Sequence, residues 1–352
     1  MHKIPVIDVT DLYHPYQDPG DNVDLLTAYA LPEIDLRAVI LDATDSLRQV
    51  RYRHPLFGEM AGPRDPGVIP VTQCNYLFGR RVPCGIGPFR PMRSPADRME
   101  GLSPFYNGVD LLLQTLRASR EKVHILCFGS ARAIAVAFNR EPELFFRQVE
   151  AVHLSAGSSG GFLEWNVELD VHAFVCLLRS GLPLYLYPCA TEKGPFDYGE
   201  HNTYWRLSDP SFFAGMAPPL RRYLAYAFSK SREPDFLRVL EEGGWEEGIL
   251  QAPPYHEIWE TAIWMHTAGR KLYQSAEGFR YLPEEPGRIP ALTEELLPVS
   301  LQVFDTGLFT FAPARESAVR LYRRSLPEGL AGMLEDAYRS LYLSYEASLP
   351  VF

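Results

Sequence analysis

Short, near-continuously apolar runs recur along the first half of the chain. They are Ile4 to Val9, Leu36 to Leu41, Val123 to Phe128, Val149 to Leu154 and Leu182 to Tyr187. Such runs predict strands covered on both faces, because a half-exposed strand would alternate apolar with polar. Between them the period changes. Val109, Leu112, Leu113 and Leu116 fall on one face of a helix over Val109 to Ala118. Ala131 to Phe138 and Val171 to Leu178 repeat that helical spacing. Strand and helix in alternation predict an α/β fold with right-handed crossovers. The expected architecture is a mostly parallel central sheet flanked by helices, Rossmann-like in plan. In such sheets ligands bind beyond the carboxyl ends of the strands.

Residues 192–255 break the alternation. They are dense in aromatics, Pro and Gly, with helical patches at Pro219 to Phe228 and Phe236 to Glu242. We expect a helical insertion there within a single domain spanning 1–352. Glu257 to Gly269 is a further predicted helix, Val299 to Phe304 a late strand, and Leu330 to Tyr342 an amphipathic closing helix.

Composition narrows the class. The chain has 352 residues, 46% hydrophobic and 22% charged, which is ordinary globular usage. Lys plus Arg number 34 against 44 Asp plus Glu, a net charge of -10. A protein that grips phosphate backbones needs a basic face, so no nucleic-acid partner is expected. No apolar run is long enough for a membrane helix, and the first residues lack a secretory leader's pattern, so no membrane partner is expected. Cys74, Cys84, Cys127, Cys176 and Cys189 are odd in number and scattered. They argue against a disulfide framework or a zinc knuckle and for a cytoplasmic setting.

The most informative stretch follows the first strand. Asp8, Asp11, Asp18, Asp21 and Asp24 lie close together in sequence, where β-structure gives way to helix. Asp21 and Asp24, three apart, share one edge of a helical turn. Several hard oxygens aimed at one point suit calcium, or magnesium completed by water. Capping and turn chemistry account equally well for Asp18, Asp21 and Asp24. They do not account for Asp8 and Asp11 beside them.

From these residues onward the chain resembles the inosine-uridine-type nucleoside hydrolases. That family opens with a strand, an aspartate-rich DxDxGxDD loop, a helix and a Pro-Glu-Ile segment. Here stand VIDVTD, DPGDNVDLLTAYAL and Pro32-Glu33-Ile34. Gly79 to Gly87, Lys122 to Gly129, Glu164 to Ala173 and Ser180-Gly181-Leu182-Pro183 resemble further family segments in the same order. The resemblance covers residues 4 to about 190 and weakens beyond.

The resemblance implies calcium-dependent hydrolysis of the N-glycosidic bond of ribonucleosides through a metal-bound water, as in purine and pyrimidine salvage. It implies that the ion is held among Asp8, Asp11, Asp21 and Asp24, with a main-chain contact near Arg132, and that Asp11 or Asp21 takes the proton from water. Glu164 and Asn166 match positions that hold ribose hydroxyls, and Asp45 falls where the family has a ribose-contacting Asn. The nearest match to the family's late His-Asp pair is His256-Glu257. It makes Glu257 the last ligand and His256 the group that helps the base depart. Trp259, Trp264, Tyr198, Tyr204 and Trp205 are available for stacking on a base. The family also implies a homo-oligomer. Two other functions are consistent with these residues: a non-catalytic nucleoside or sugar binder, and a hydrolase of another glycoside or ester using the same pocket.

The Gly157 to Gly161 loop follows a strand but lacks the Lys-Ser/Thr of a phosphate loop, and is expected to line the pocket. Gly85-Ile86-Gly87 lacks the rest of a dinucleotide fingerprint.

Overall fold

Val6 and Ile7, neighbours on the first strand, pack into two different cores on opposite faces of one sheet. That is why the run carries no polar alternation. The computed structural model describes residues 3–12, 19–42, 49–54, 58–63, 67–229, 231, 233–243 and 254–348. Among them the strands are, in chain order, β1 (Ile4–Thr10), β2 (Ile34–Leu41), β3 (Gln49–His54), β4 (Gly58–Pro63), β5 (Cys84–Ile86), β6 (Val123–Cys127), β7 (Val149–Ser155), β8 (Leu184–Tyr187), β9 (Trp205–Leu207), β10 (His256–Ile258), β11 (Arg270–Ser275), β12 (Gly278–Pro283), β13 (Glu294–Val303), β14 (Phe309–Pro313) and β15 (Val319–Arg324).

The main sheet runs β14-β13-β15-β8-β7-β6-β1-β2-β5. From β15 to β5 every neighbouring pair is parallel, while β13 and β14 extend the edge antiparallel. One core lies under the Pro19–Ala30, Pro218–Phe228 and Leu330–Leu343 helices. The other lies under Gly108–Ala118, Arg132–Arg140 and Val171–Leu178. The predicted mostly parallel sheet is therefore the observed one. The chain leaves β1 toward β2 on one side and reaches β6, β7 and β8 on the other. The order reverses between β1 and β6, and a crevice at such a reversal is where these folds bind ligands.

Two expectations change. The segment 192–255 is mixed: β9, a 3-10 turn over Pro210–Gly215 and two helices, Pro218–Phe228 and Arg238–Glu241. Residues 244–253 lie outside the described residues. The expected helix over Glu257 to Gly269 is shorter, Thr261–Thr267. His256–Ile258 instead pairs antiparallel with Trp205–Leu207. A strand alternates its faces, so His256 and Ile258 turn inward while Glu257 faces Arg206. No helix among the described residues is long and apolar enough to cross a membrane.

Candidate active site

Asp11 beyond β1, Phe128 beyond β6, Ser155 closing β7 and Cys189 beyond β8 all line one cavity of about 460 Å³. The strand ends thus deliver it where the topology points. One part of its wall is acidic, from Asp11, Asp21, Glu164, Glu168 and Glu260; another is aromatic, from Phe128, Phe162, Trp165, Phe196 and Trp259.

Asp21 and Asp24 come from the first turns of the Pro19–Ala30 helix, and Glu260 precedes the Thr261–Thr267 helix. Because the first helix starts at Pro19, Asp21 is its third residue and not its N-cap. One carboxylate oxygen of each of Asp21, Asp24 and Glu260 lies within 4.8 Å of the other two. Asp24 is buried. Three hard anionic donors at that spacing fit a divalent cation of the calcium or magnesium type.

Asp8 does not reach the cavity lining. Its side chain is buried inside β1, and Oδ1 has no hydrogen-bond partner. Burial alone pushes its carboxyl up to about 8. Asp11 sits at the strand end against Gly129. A Cβ at that glycine would stand 2.9 Å from Asp42 Oδ2 and 3.3 Å from the Asp11 Cβ. The glycine after β6 is therefore what lets three strand ends close together.

Glu164 caps the Trp165–Leu169 helix. Its Oε1 accepts the Asn166 N–H at 2.9 Å and its Oε2 the Gly157 N–H at 2.8 Å. Burial pushes the carboxyl up to about 7 against these bonds. Asn166 Nδ2 donates to Ser155 O at 2.8 Å. Both residues line the cavity, so the structure brings together Asp11, Asp21, Glu164 and Asn166 from the sequence-predicted set.

Arg132 is placed differently. Its guanidinium is fully buried beneath the loop. Nε donates to Asp170 Oδ2 at 2.7 Å, and the terminal nitrogens reach Pro88 O, Phe89 O and Leu169 O. Asp42, also fully buried, lies 4.0 Å from it and accepts the Ser130 N–H at 2.6 Å. This ion network fixes the β2 and β6 loops, and Arg132 is not part of the cavity wall. Asp45 lies outside the described residues.

His256 and Glu257 do not reach the cavity either. His256 is stacked on Phe228 at 5.6 Å, and burial lowers it to about 4. Glu257 is held by Arg206 at 2.7 Å and by the Tyr204 hydroxyl at 2.6 Å. The residues that open the late helix and face the cavity are Trp259 and Glu260. Trp259 donates its indole N–H to Cys189 O at 3.0 Å and packs against Tyr204 and Phe196. Of the other aromatics, Trp264 stacks behind Phe128 at 5.5 Å, and Trp205 is core. Sequence reasoning passed over Glu260, Glu168 and Asp42. The start of the helix at Thr261 was the available signal for Glu260.

No protein-family model matches the chain. Over 182 residues it is 28% identical to the pyrimidine-specific ribonucleoside hydrolase RihA of Citrobacter koseri, covering 47% of this chain and 56% of that protein. An uncharacterized protein of Schizosaccharomyces pombe is 29% identical over 187 residues, 49% of this chain and 58% of that one. The chain thus spans little more than half the length of the curated relatives it matches. A plant nucleoside hydrolase superposes with a TM-score of 0.54, covering 96% of this chain and 99% of that one at 14% identity. The chain is similar in sequence to a ribonucleoside hydrolase over about half its length and shares the nucleoside hydrolase fold over nearly all of it. A purine-preferring ribonucleoside hydrolase from Gardnerella vaginalis gives a TM-score of 0.53 over 96% of this chain and 99% of that one, at 12% identity. At such identities these structures share the nucleoside hydrolase fold with this chain, and the likeness in sequence covers about half of it.

Proposed function

We propose that the chain hydrolyses the N-glycosidic bond of ribonucleosides, releasing base and ribose, with calcium as its cofactor. The observation that carries this reading is the convergence of Asp21, Asp24 and Glu260 beside a cavity that also holds Asp11, Glu164 and Asn166. Asp21, Asp24 and Glu260 are the residues that would hold the ion. When bound, such an ion lowers the pKa of water and orients a diol. Asp11 is the carboxylate that takes the proton of the attacking water. Glu164 and Asn166, fixed by their own backbone bonds, present oxygens and an amide to the ribose hydroxyls. As the bond from C1′ to the base opens, the sugar acquires oxocarbenium character, and the surrounding carboxylates stabilise that charge. Trp259 and Phe196 offer ring faces to the base. A single-domain chain, a cytoplasmic role in nucleoside salvage and a homo-oligomeric state belong to the same reading.

The test is release of free ribose from inosine, uridine, adenosine and cytidine by chelator-treated protein, with and without added calcium. Calcium-dependent release is expected. No release from any of them removes the proposal. The placement of Trp259 where the resemblance calls for His favours one second reading, a binder that keeps the pocket without turnover. Calorimetric nucleoside binding without ribose release would establish it.

A further inference from the structure

We infer that the hydroxyls of Tyr223 and Tyr342 are positioning groups for the ion site. From two helices far along the chain they hold the backbone between Asp21 and Asp24, so that these carboxylates meet Glu260 at ligand spacing. The inference rests on the ion-binding part of the proposed function and extends it beyond the residues that would hold the ion.

Asp21 and Asp24 are the third and sixth residues of the Pro19–Ala30 helix. They share an edge only while that turn stays helical. The first turn is the weakest part of a helix, because its leading N–H groups have no partner within the helix and its end frays. Asn22 and Val23 stand between the two carboxylates, so their carbonyls are the points at which the turn can be held. A helical carbonyl accepts one bond from the N–H four residues on and keeps a second lone pair. Tyrosines take that second position at both carbonyls. The Tyr223 hydroxyl, from the Pro218–Phe228 helix, donates to Asn22 O at 3.0 Å, with Asn22 Oδ1 at 3.3 Å. The Tyr342 hydroxyl, from the Leu330–Leu343 helix, donates to Val23 O at 3.3 Å.

The Tyr342 bond is the last of a series. The Tyr345 hydroxyl donates to Thr27 Oγ1 at 3.2 Å, and Thr27 Oγ1 lies 2.5 Å from the Tyr342 hydroxyl. With Tyr342 donating to Val23 O, the Thr27 hydroxyl donates to Tyr342, and each proton of the series points toward the carbonyl. Hydrogen bonds in such a series polarise and strengthen one another. Asn22, Thr27, Tyr223, Tyr342 and Tyr345 are all buried, so water does not compete for these groups. Groups that orient metal ligands from behind act on the ion through those ligands. Removing one commonly lowers metal affinity by about 10–100-fold.

Tyr223→Phe and Tyr342→Phe test this, since each keeps the buried ring and loses one oxygen. Tyr226→Phe is the matched comparison: Tyr226 lies on the same helix as Tyr223, is buried, and gives its hydroxyl to Glu233 O at 3.1 Å. Two quantities are read on the full chain after chelator treatment: calcium affinity by calorimetric titration, and the gain in Tm at a fixed calcium concentration. Tyr223→Phe and Tyr342→Phe should each weaken calcium binding by about tenfold or more, and the Tm gain should shrink with it. Tyr226→Phe should lower the Tm of the calcium-free protein but keep the affinity and the Tm gain of the unaltered chain. Unaltered affinity in either Tyr223→Phe or Tyr342→Phe, or an equal loss in Tyr226→Phe, overturns the inference and leaves the ion site standing. An unaltered chain that binds no calcium overturns both.

Discussion

The Arg206 guanidinium meets the Glu257 carboxylate at 2.7 Å, and neither side chain lines the cavity. Glu260, three residues on, shares the cavity with Asp21. The two glutamates are therefore separable by experiment. Glu260→Gln should lower calcium affinity and ribose release by about 100-fold or more, as expected for a lost charged ligand. Glu257→Gln should leave both within about threefold, because it breaks only a partly exposed ion pair. Equal losses in the two variants would contradict this assignment.

The Arg132 side chain is the fixed centre of the loops behind the cavity. It has no access to solvent and ties Asp170 and two carbonyl-bearing loops together. Arg132→Met should destabilise the protein by about 3–5 kcal/mol, because it leaves the buried carboxylates of Asp170 and Asp42 without their cation. Chemical denaturation monitored by tryptophan fluorescence reads this directly. A loss below about 1 kcal/mol would show that the network contributes little.

His256 gives the pH dependence its sign. Burial lowers it to about 4 from an ordinary value near 6.5. The folded state therefore favours the neutral imidazole. The stability this contributes is complete above pH 6.5 and is lost as pH falls through 4. His256→Leu should flatten the fall in Tm between pH 6.5 and 4 and leave the pH profile of ribose release unchanged. A profile that loses a limb in this variant would place His256 in the chemistry after all.

Gly129 lies against both Asp42 and Asp11. Gly129→Ala places a methyl group where no Cβ fits, so one of the two carboxylates must move. Ribose release should fall by about tenfold or more, since small misplacements of reacting groups are costly. The Tm should change by only a few degrees. Unaltered turnover would contradict the link between Gly129 and the position of Asp11.

The fold was largely legible because burial on both faces removes polar positions from a strand, and the parallel core strands showed as unbroken apolar runs. Part of the cavity lining was legible too. Asp11 and Asp21 follow a strand end, and Glu164 and Asn166 sit in a motif whose members are close in sequence. What failed was the late helix. His256, Glu257 and Ile258 are drawn into a strand by pairing with Trp205–Leu207 far back in the chain, and local periodicity does not report such a pairing. The residues of this boundary that line the cavity are Trp259 and Glu260, a few positions beyond His256 and Glu257. The Arg132 side chain had no local signature as a buried cation, because its partner Asp170 lies in another loop.

The central claim is that one divalent ion is held jointly by the Pro19–Ala30 helix and the residue before the Thr261–Thr267 helix. Calorimetric titration of calcium into chelator-stripped protein tests it most directly. We expect one site per chain, with binding lost in Asp21→Asn, Asp24→Asn and Glu260→Gln and kept in Glu257→Gln. Absence of binding in the unaltered chain, or binding indifferent to Asp21, Asp24 and Glu260, would contradict it.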